Sequence, residues 1–276
     1  MMSYLQIIIC TIWGNKQWVT AYTSFGEGLD RLLDSLTPAT VRTSSTYAVD
    51  SMPPVLPQSV SSAFAIHIAT YQHLVDAGMN ALSIAHRLVE NDLALYPGIT
   101  KENEGDAELW AEYLSSYPDT FRYLVQDPVE IIGNWSFLAV SEEEHLEKLR
   151  SGELTEETFS MDSTEFLLFP GDYIGYPLNL SINIGYNSAD NFNMLLSSFS
   201  QQMEAFADRG IFFKSWYVNV FRPDHKAMYK GLGFRFLCNN KVHGSVYELE
   251  LPALLNSMII TSSERLKEKY VQHFTQ

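Results

Sequence analysis

The sequence predicts an α+β fold: a mixed, mostly antiparallel central sheet with one βαβ crossover, flanking helices and an N-terminal α/β extension. Three observations carry this. From Tyr176 to Tyr186, Leu178, Leu180, Ile182 and Ile184 alternate with Asn179, Ser181 and Asn183, the period of a half-buried strand. From Asp190 to Asp208, Leu195, Leu196, Phe199, Met203 and Phe206 recur at three- and four-residue steps, an amphipathic helix that Gly210 stops. Ile211 to Phe221 is strongly β-forming. A strand, a helix of that length and a second strand make a right-handed parallel crossover, whereas the shorter links before it suit antiparallel neighbours.

The remaining elements follow in chain order. Leu5–Trp13 and Gln17–Phe25 read as strands joined through Gly14-Asn15-Lys16, and Leu29, Leu32, Leu33 and Leu36 as a helix that Pro38 ends. Thr37–Ser62 is rich in Ser, Thr and Pro, which is linker chemistry. Ala63–Leu95 reads as helical with a break at Gly78, and Glu102–Tyr113 as a shorter acidic helix. Phe121–Gln126 and Val129–Val140 are strands around the Asp127-Pro128 turn. Ser141 and Glu144 form a capping box ahead of Leu146 and Leu149, and Thr158–Phe169 is a strand ending at Pro170-Gly171. The organisation expected is therefore an extension over 1–75, a catalytic-type domain over 76–251 and a helical tail over 252–276.

Composition narrows the function classes. Apolar residues make up 46% and charged ones 18% of 276 residues, ordinary for a soluble globular protein. Cys10 and Cys238 sit in apolar runs and offer neither a disulfide framework nor metal spacing, which fits a reducing cytoplasm. The apolar run Ile7–Trp13 is too short to span a bilayer and has no basic residue before it, so neither membrane nor signal peptide is expected. A net charge of −15 argues against nucleic acid. The charge is uneven: residues 209–241 hold seven of the 18 basic side chains and one acid, Asp224. Residues 141–165 hold nine acids against Lys148 and Arg150. One locally positive end suits an anionic ligand.

The crossover leads into Tyr229-Lys230-Gly231-Leu232-Gly233-Phe234, a short helix with a tyrosine four residues before a Gly-Phe pair. This segment resembles the acyl-CoA-binding end of the GNAT acyltransferase superfamily, and the resemblance covers about Ala81 to Leu251. It implies a GNAT-like fold in which two parallel strands splay apart and the pantetheine arm of acyl-CoA enters the gap as a pseudo-strand. Leu180 to Ile184, including Ile182 and Asn183, would then carry the thioester-facing edge. Tyr186 to Asn193, with Asn187, Ser188, Asn191 and Phe192, would be the pyrophosphate loop at a helix N-terminus. That loop departs from the superfamily pattern, having no glycine and no base but an acid, Asp190. Glycine allows close approach of backbone to phosphate, so its loss weakens such a site.

The resemblance makes Tyr229 the acid that protonates the departing thiolate. Arg222, where the superfamily usually has Asn, and Lys226 would neutralise phosphate. Glu165 is the candidate general base, with Asp162 weaker; His225 and His243 lie near the motif but read as structural. No metal is implied. The reaction implied is acyl transfer, acetyl above all, from acyl-CoA to a small-molecule or peptide amine, with the acidic 141–165 region as docking surface. Two other readings stay open: a retired GNAT-fold binding module, and a transferase using a longer or carrier-bound acyl donor. Oligomeric state is open as well.

Overall fold

The computed structural model describes residues 65–96, 106–141, 145–153, 161, 164–241 and 244–275. The strands, helix and linker read within 1–62, the Glu144 half of the capping box, Asp162 and His243 lie outside the described residues. Seven strands form one sheet: β1 (Ile66–Ala69), β2 (Phe121–Gln126), β3 (Glu130–Ala139), β4 (Gly171–Ile182), β5 (Ile211–Val220), β6 (Arg235–Asn239) and β7 (Ser245–Glu250). Their order is β1-β2-β3-β4-β5-β7-β6, and only β4–β5 is parallel. This strand order, with one parallel step crossed by a helix, is the topology that the GNAT resemblance implied.

Described helices are α1 (Tyr71–Asp76), α2 (Ala81–Leu95), α3 (Ala107–Ser116), α4 (His145–Arg150), α5 (Ala189–Asp208), α6 (Pro223–Gly231), α7 (Ala253–Asn256), α8 (Met258–Thr261) and α9 (Glu264–Thr275). None of these helices is long and apolar enough to cross a membrane. Helix α2 starts in a capping box: the Asn80 side chain accepts from the Ser83 amide at 2.8 Å, and Ser83 Oγ accepts from the Asn80 amide at 3.0 Å. The break before it is Gly78, whose φ of +96° suits glycine.

The two faces of the sheet are packed differently. Beneath α2 and α3, Ile84, Leu88, Trp110, Tyr113 and Leu114 join Tyr123, Leu138 and Tyr176 in one apolar cluster. On the opposite face, α5 lays Phe199 and Phe206 against Phe137, Phe213 and Trp216, with edge-to-face centroid distances of 5.3 Å for Phe137–Phe213 and 5.2 Å for Phe137–Trp216. Helix α9 closes this side. Its Tyr270 hydroxyl accepts the Phe213 amide at 3.1 Å, and Arg265 and Lys269 each reach Asp208 on α5 at 2.7 Å.

Several expectations are corrected. Ile66–Ala69 is an edge strand, not helix, because its backbone pairs with Tyr123–Gln126; the sheet thus begins before residue 76. Thr158–Phe169 contains no strand among its described residues: Thr164 makes one isolated bridge to Val140, and the chain then turns through Phe166–Leu168. Strand β4 runs from Gly171, and Ile184–Tyr186 is a 3-10 turn rather than its end. The polar side of β4 is also buried. Asn179 and Ser181 are at 9% and 8% exposure, as buried as Ile182 at 8%, while Leu178 and Leu180 are half-buried. A strand covered by helices on both faces has no solvent side, so its polar residues find partners inside.

Candidate functional site

Strands β4 and β5 pair only from Gly171↔Ile211 to Gly175↔Trp216. Beyond that point β4 stays with β3, as in Leu180↔Trp135, and β5 stays with β7, as in Val218↔Tyr247. Residues 176–182 and 217–220 therefore face each other across a wedge with no main-chain pairing between them. Register also shifts within β4, where Pro177 faces Phe137 and Asn179 faces Ser136, leaving Leu178 as an extra residue. Such a bulge re-aims the strand, and Pro177 has no N–H to leave unpaired where the ladder opens.

A cavity lies on each side of the wedge. One is roofed by α2 and α3 and lined by Asp92, Tyr96, Asn134, Asn179, Asn219 and His225 among others. The second lies under α5 and α8 with Trp135, Phe137, Leu196, Phe199, Trp216 and Met258 in its wall. Ser136, Asn179, Leu180 and Tyr229 line both. The wedge is thus a junction between a polar chamber and an apolar one, and Tyr229 stands at it.

The polar chamber carries a hydrogen-bonded band. The Asn179 amide donates to Asp92 Oδ1 at 2.6 Å and lies 3.5 Å from Asn134 Oδ1, which Ser181 Oγ approaches at 3.4 Å. The Tyr96 hydroxyl lies 3.5 Å from both Asn179 Oδ1 and His225 Nδ1, and its ring meets the imidazole edge-on. His225 and Tyr229 are four apart on α6 and so share one helix face. Asp92, Tyr96, Asn134 and Asn179 were not singled out from the sequence. The signal was present in the polar half of the β4 alternation, opposite Asn91-Asp92 on a helix.

The start of α5 is closed by its own side chains. Ser188 caps it, accepting the Asn191 amide at 3.2 Å, and the Asn191 side chain donates back to the Tyr186 carbonyl at 2.7 Å. Phe192 is buried, Asp190 sits in the first turn, and the Asn187 side-chain oxygen is buried without a partner among the described residues. The Tyr186 hydroxyl holds this turn to the β2–β3 hairpin through Gln126 at 2.6 Å. A helix N-terminus of this kind still presents amides to an anion, but without a basic side chain in the turn.

The other residues predicted from the sequence fall as follows. Tyr229 is buried at 6% exposure, with its ring edge-on to Phe234 at 5.1 Å. Arg222 caps α6 and donates to the Leu95 carbonyl, its guanidinium over the Tyr96 ring at 5.5 Å. It therefore stitches the end of α2 to the start of α6. Lys226 donates to Ser245 Oγ at 2.8 Å. Ile182 is buried in register with Gly133, and the Asn183 side chain donates to Asn91 Oδ1 at 3.2 Å. Ile184 projects into solvent at 82% exposure, past the end of β4, so it does not form the edge of the wedge; Pro177 to Leu180 do. Glu165 is exposed, donates its amide to Ala139 and lines neither cavity. It flanks the paired end of β4–β5 and not the open end, so the structure does not bring it together with Tyr229. Among the described residues no group of His, Cys, Asp and Glu could hold a metal ion.

The splayed parallel pair is the arrangement that the resemblance in the sequence implied. No protein-family profile matches the chain, and no curated protein matches it significantly. Solved structures of similar fold include a GNAT-family acetyltransferase from Staphylococcus aureus Mu50. It is 14% identical, with a TM-score of 0.42 over 68% of this chain and 99% of its own. The FeeM N-acyl amino acid synthase from uncultured soil microbes is 13% identical, with a TM-score of 0.41 over 70% and 93%. NAA60 of Arabidopsis thaliana, solved with acetyl-CoA, is 15% identical, with a TM-score of 0.42 over 67% and 97%.

Proposed function

We propose that the protein is an N-acyltransferase that moves an acyl group from an acyl-CoA thioester to an amine in a ternary complex. The observation that carries this reading is the unpaired wedge between β4 and β5 with Tyr229 in the wall of both chambers. The free edge of β4 can pair with a pantetheine arm as one strand pairs with another. A thioester held there meets a nucleophile arriving from the polar chamber.

The chemistry follows from the groups on either side. An amine arriving as ammonium is cationic, and Asp92 supplies the carboxylate in the polar chamber. His225, facing the same chamber, takes the ammonium proton, a general-base role open to a neutral imidazole. The amine nitrogen then attacks the thioester carbon, the C–S bond breaks, Tyr229 gives its proton to the leaving thiolate, and the extra proton left on the attacking nitrogen restores the Tyr229 phenolate. The products are an amide and free CoA thiol. Asn134 and Asn179 hold Asp92 and the Tyr96–His225 pair in place, and Arg222 fixes the α2–α6 corner from which three of these residues project.

A second reading is favoured by one observation, the self-closed and acidic start of α5, which weakens the usual grip on pyrophosphate. A binding module without turnover would keep the wedge and lose that grip. Thermal shift and thiol release decide between them. Acetyl-CoA at about 100 times its dissociation constant stabilises a fold by about 2.7 kcal/mol, and an amine panel should then release thiol. Binding without thiol release from any amine would favour the module. Absence of binding by any acyl-CoA would remove the transferase reading.

A further inference from the structure

The chamber under α5 and α8 is walled almost wholly by carbon, more apolar than an acetyl group needs. Its wall is built from Trp135 and Phe137 of β3, Leu196 and Phe199 of α5, and Met258 and Ile259 of α8, with no charged side chain in it. Two of the hydroxyls that reach the wall occupy one another. Ser200 Oγ and Ser262 Oγ bond at 2.7 Å across the α5–α8 contact. The Trp135 indole N–H is turned away onto Ser198 at 2.7 Å. The Trp216 indole N–H, buried where the strands part, is the exception, with no acceptor among the described residues.

We infer that this chamber is an acyl-chain pocket, and that the donor is a medium-chain acyl-CoA rather than acetyl-CoA. The inference rests on the transferase reading above and names the substrate class of that site. A pantetheine arm laid along the same wall would bring two amides and a hydroxyl against carbon, leaving their donors and acceptors unpaired, which is unfavourable. A hydrocarbon chain makes no such demand and gains from every methylene it removes from water. The thioester then sits at Tyr229, the arm follows the free edge of β4, and the chain runs from the junction toward α8. The polar chamber on the other side keeps the amine.

Rates of thiol release are measured with acetyl-, butanoyl-, hexanoyl- and octanoyl-CoA against one accepted amine. Each buried methylene is worth roughly 3-fold in kcat/KM, so hexanoyl-CoA should exceed acetyl-CoA by about 10- to 100-fold. Leu196→Trp, which fills the chamber from α5, and Ile259→Phe, which fills it from α8, should each bring that ratio close to one. Two variants from different helices guard against one failing to fold, and a cooperative thermal transition checks both. A rate that falls with chain length, with acetyl-CoA turned over well, overturns the pocket and leaves the transferase reading standing. A chain-length gain that neither variant lowers also overturns it, because the chain then lies elsewhere. No binding of any acyl-CoA overturns both.

Discussion

Gly175 and Trp216 are partners in the last register position of the parallel β4–β5 pair, and the indole ring lies where a Gly175 side chain would be. A Cβ built on Gly175 comes within 2.3 Å of the ring. The ladder ends at this contact and the wedge begins immediately beyond it. Gly175→Ala therefore forces the ring or a strand to move, and overpacking of this kind costs about 1–3 kcal/mol. Urea unfolding should show that loss. Gly185→Ala is the control: nothing lies within 4 Å of its Cβ position, and its effect should stay within about 0.5 kcal/mol.

Removing the hydroxyl at the junction tests the acid. Tyr229→Phe keeps the ring packed on Phe234 and deletes only the proton donor. Turnover should fall about 10²- to 10⁴-fold, with donor affinity by thermal shift nearly unchanged. Equal losses in affinity and stability would instead mark a packing role.

His225 is tested by removing the proton acceptor. His225→Gln should lower kcat about 10²- to 10⁴-fold, with donor affinity by thermal shift nearly unchanged. Turnover that survives the substitution would transfer the base role to another group of the polar chamber.

Arg222 separates stability from ligand binding. Because its guanidinium is committed to the Leu95 carbonyl and the Tyr96 ring, Arg222→Ala should destabilise the fold by about 1–3 kcal/mol. The donor KM should change little, since the group stitches α2 to α6. A large rise in donor KM, with the melting temperature unmoved, would restore the phosphate role that its position in the motif implied.

The α5–α9 contact gives an acid-sensitive prediction. A hydrogen bond from Lys269, with the charge of Arg265 beside it, holds the Asp208 carboxyl below its ordinary pKa of 3.8. A depressed carboxylate contributes stability that is present above the unfolded value and is lost as pH falls through the folded one. The wild-type urea midpoint should therefore exceed that of Asp208→Asn at pH 6, and the two should converge as pH falls below the ordinary value of 3.8 and through the folded one. The pair is solvent-exposed, so the difference will be small.

The scaffold was legible because its signals are local. The spacing of Leu195, Phe199, Met203 and Phe206, the Gly210 stop and the Tyr229–Phe234 corner each report a short stretch of backbone, and the crossover follows from their order. The edge strand Ile66–Ala69 was not, since four residues ahead of a helix become a strand only through pairing with β2, far along the chain. Glu165 was misplaced for a related reason: its assignment required a strand, and residues 166–169 turn instead. The polar band was hidden by a convention. Alternate polar residues on a strand usually mark water, and here Asn179 and Ser181 meet Asn134 of the neighbouring strand together with Asp92 and Tyr96, which only the packing of α2 brings over the sheet.

The wall formed by Met258 and Ile259 belongs to a four-residue helix well downstream of every group assigned to bond-making. One wall of that chamber is thus written in a stretch of the gene separate from the proposed reacting groups. Insertions or exchanges around that short helix can rescale which thioester is accepted while the α6 machinery is inherited intact, so donor preference and reaction type are free to diverge at different rates.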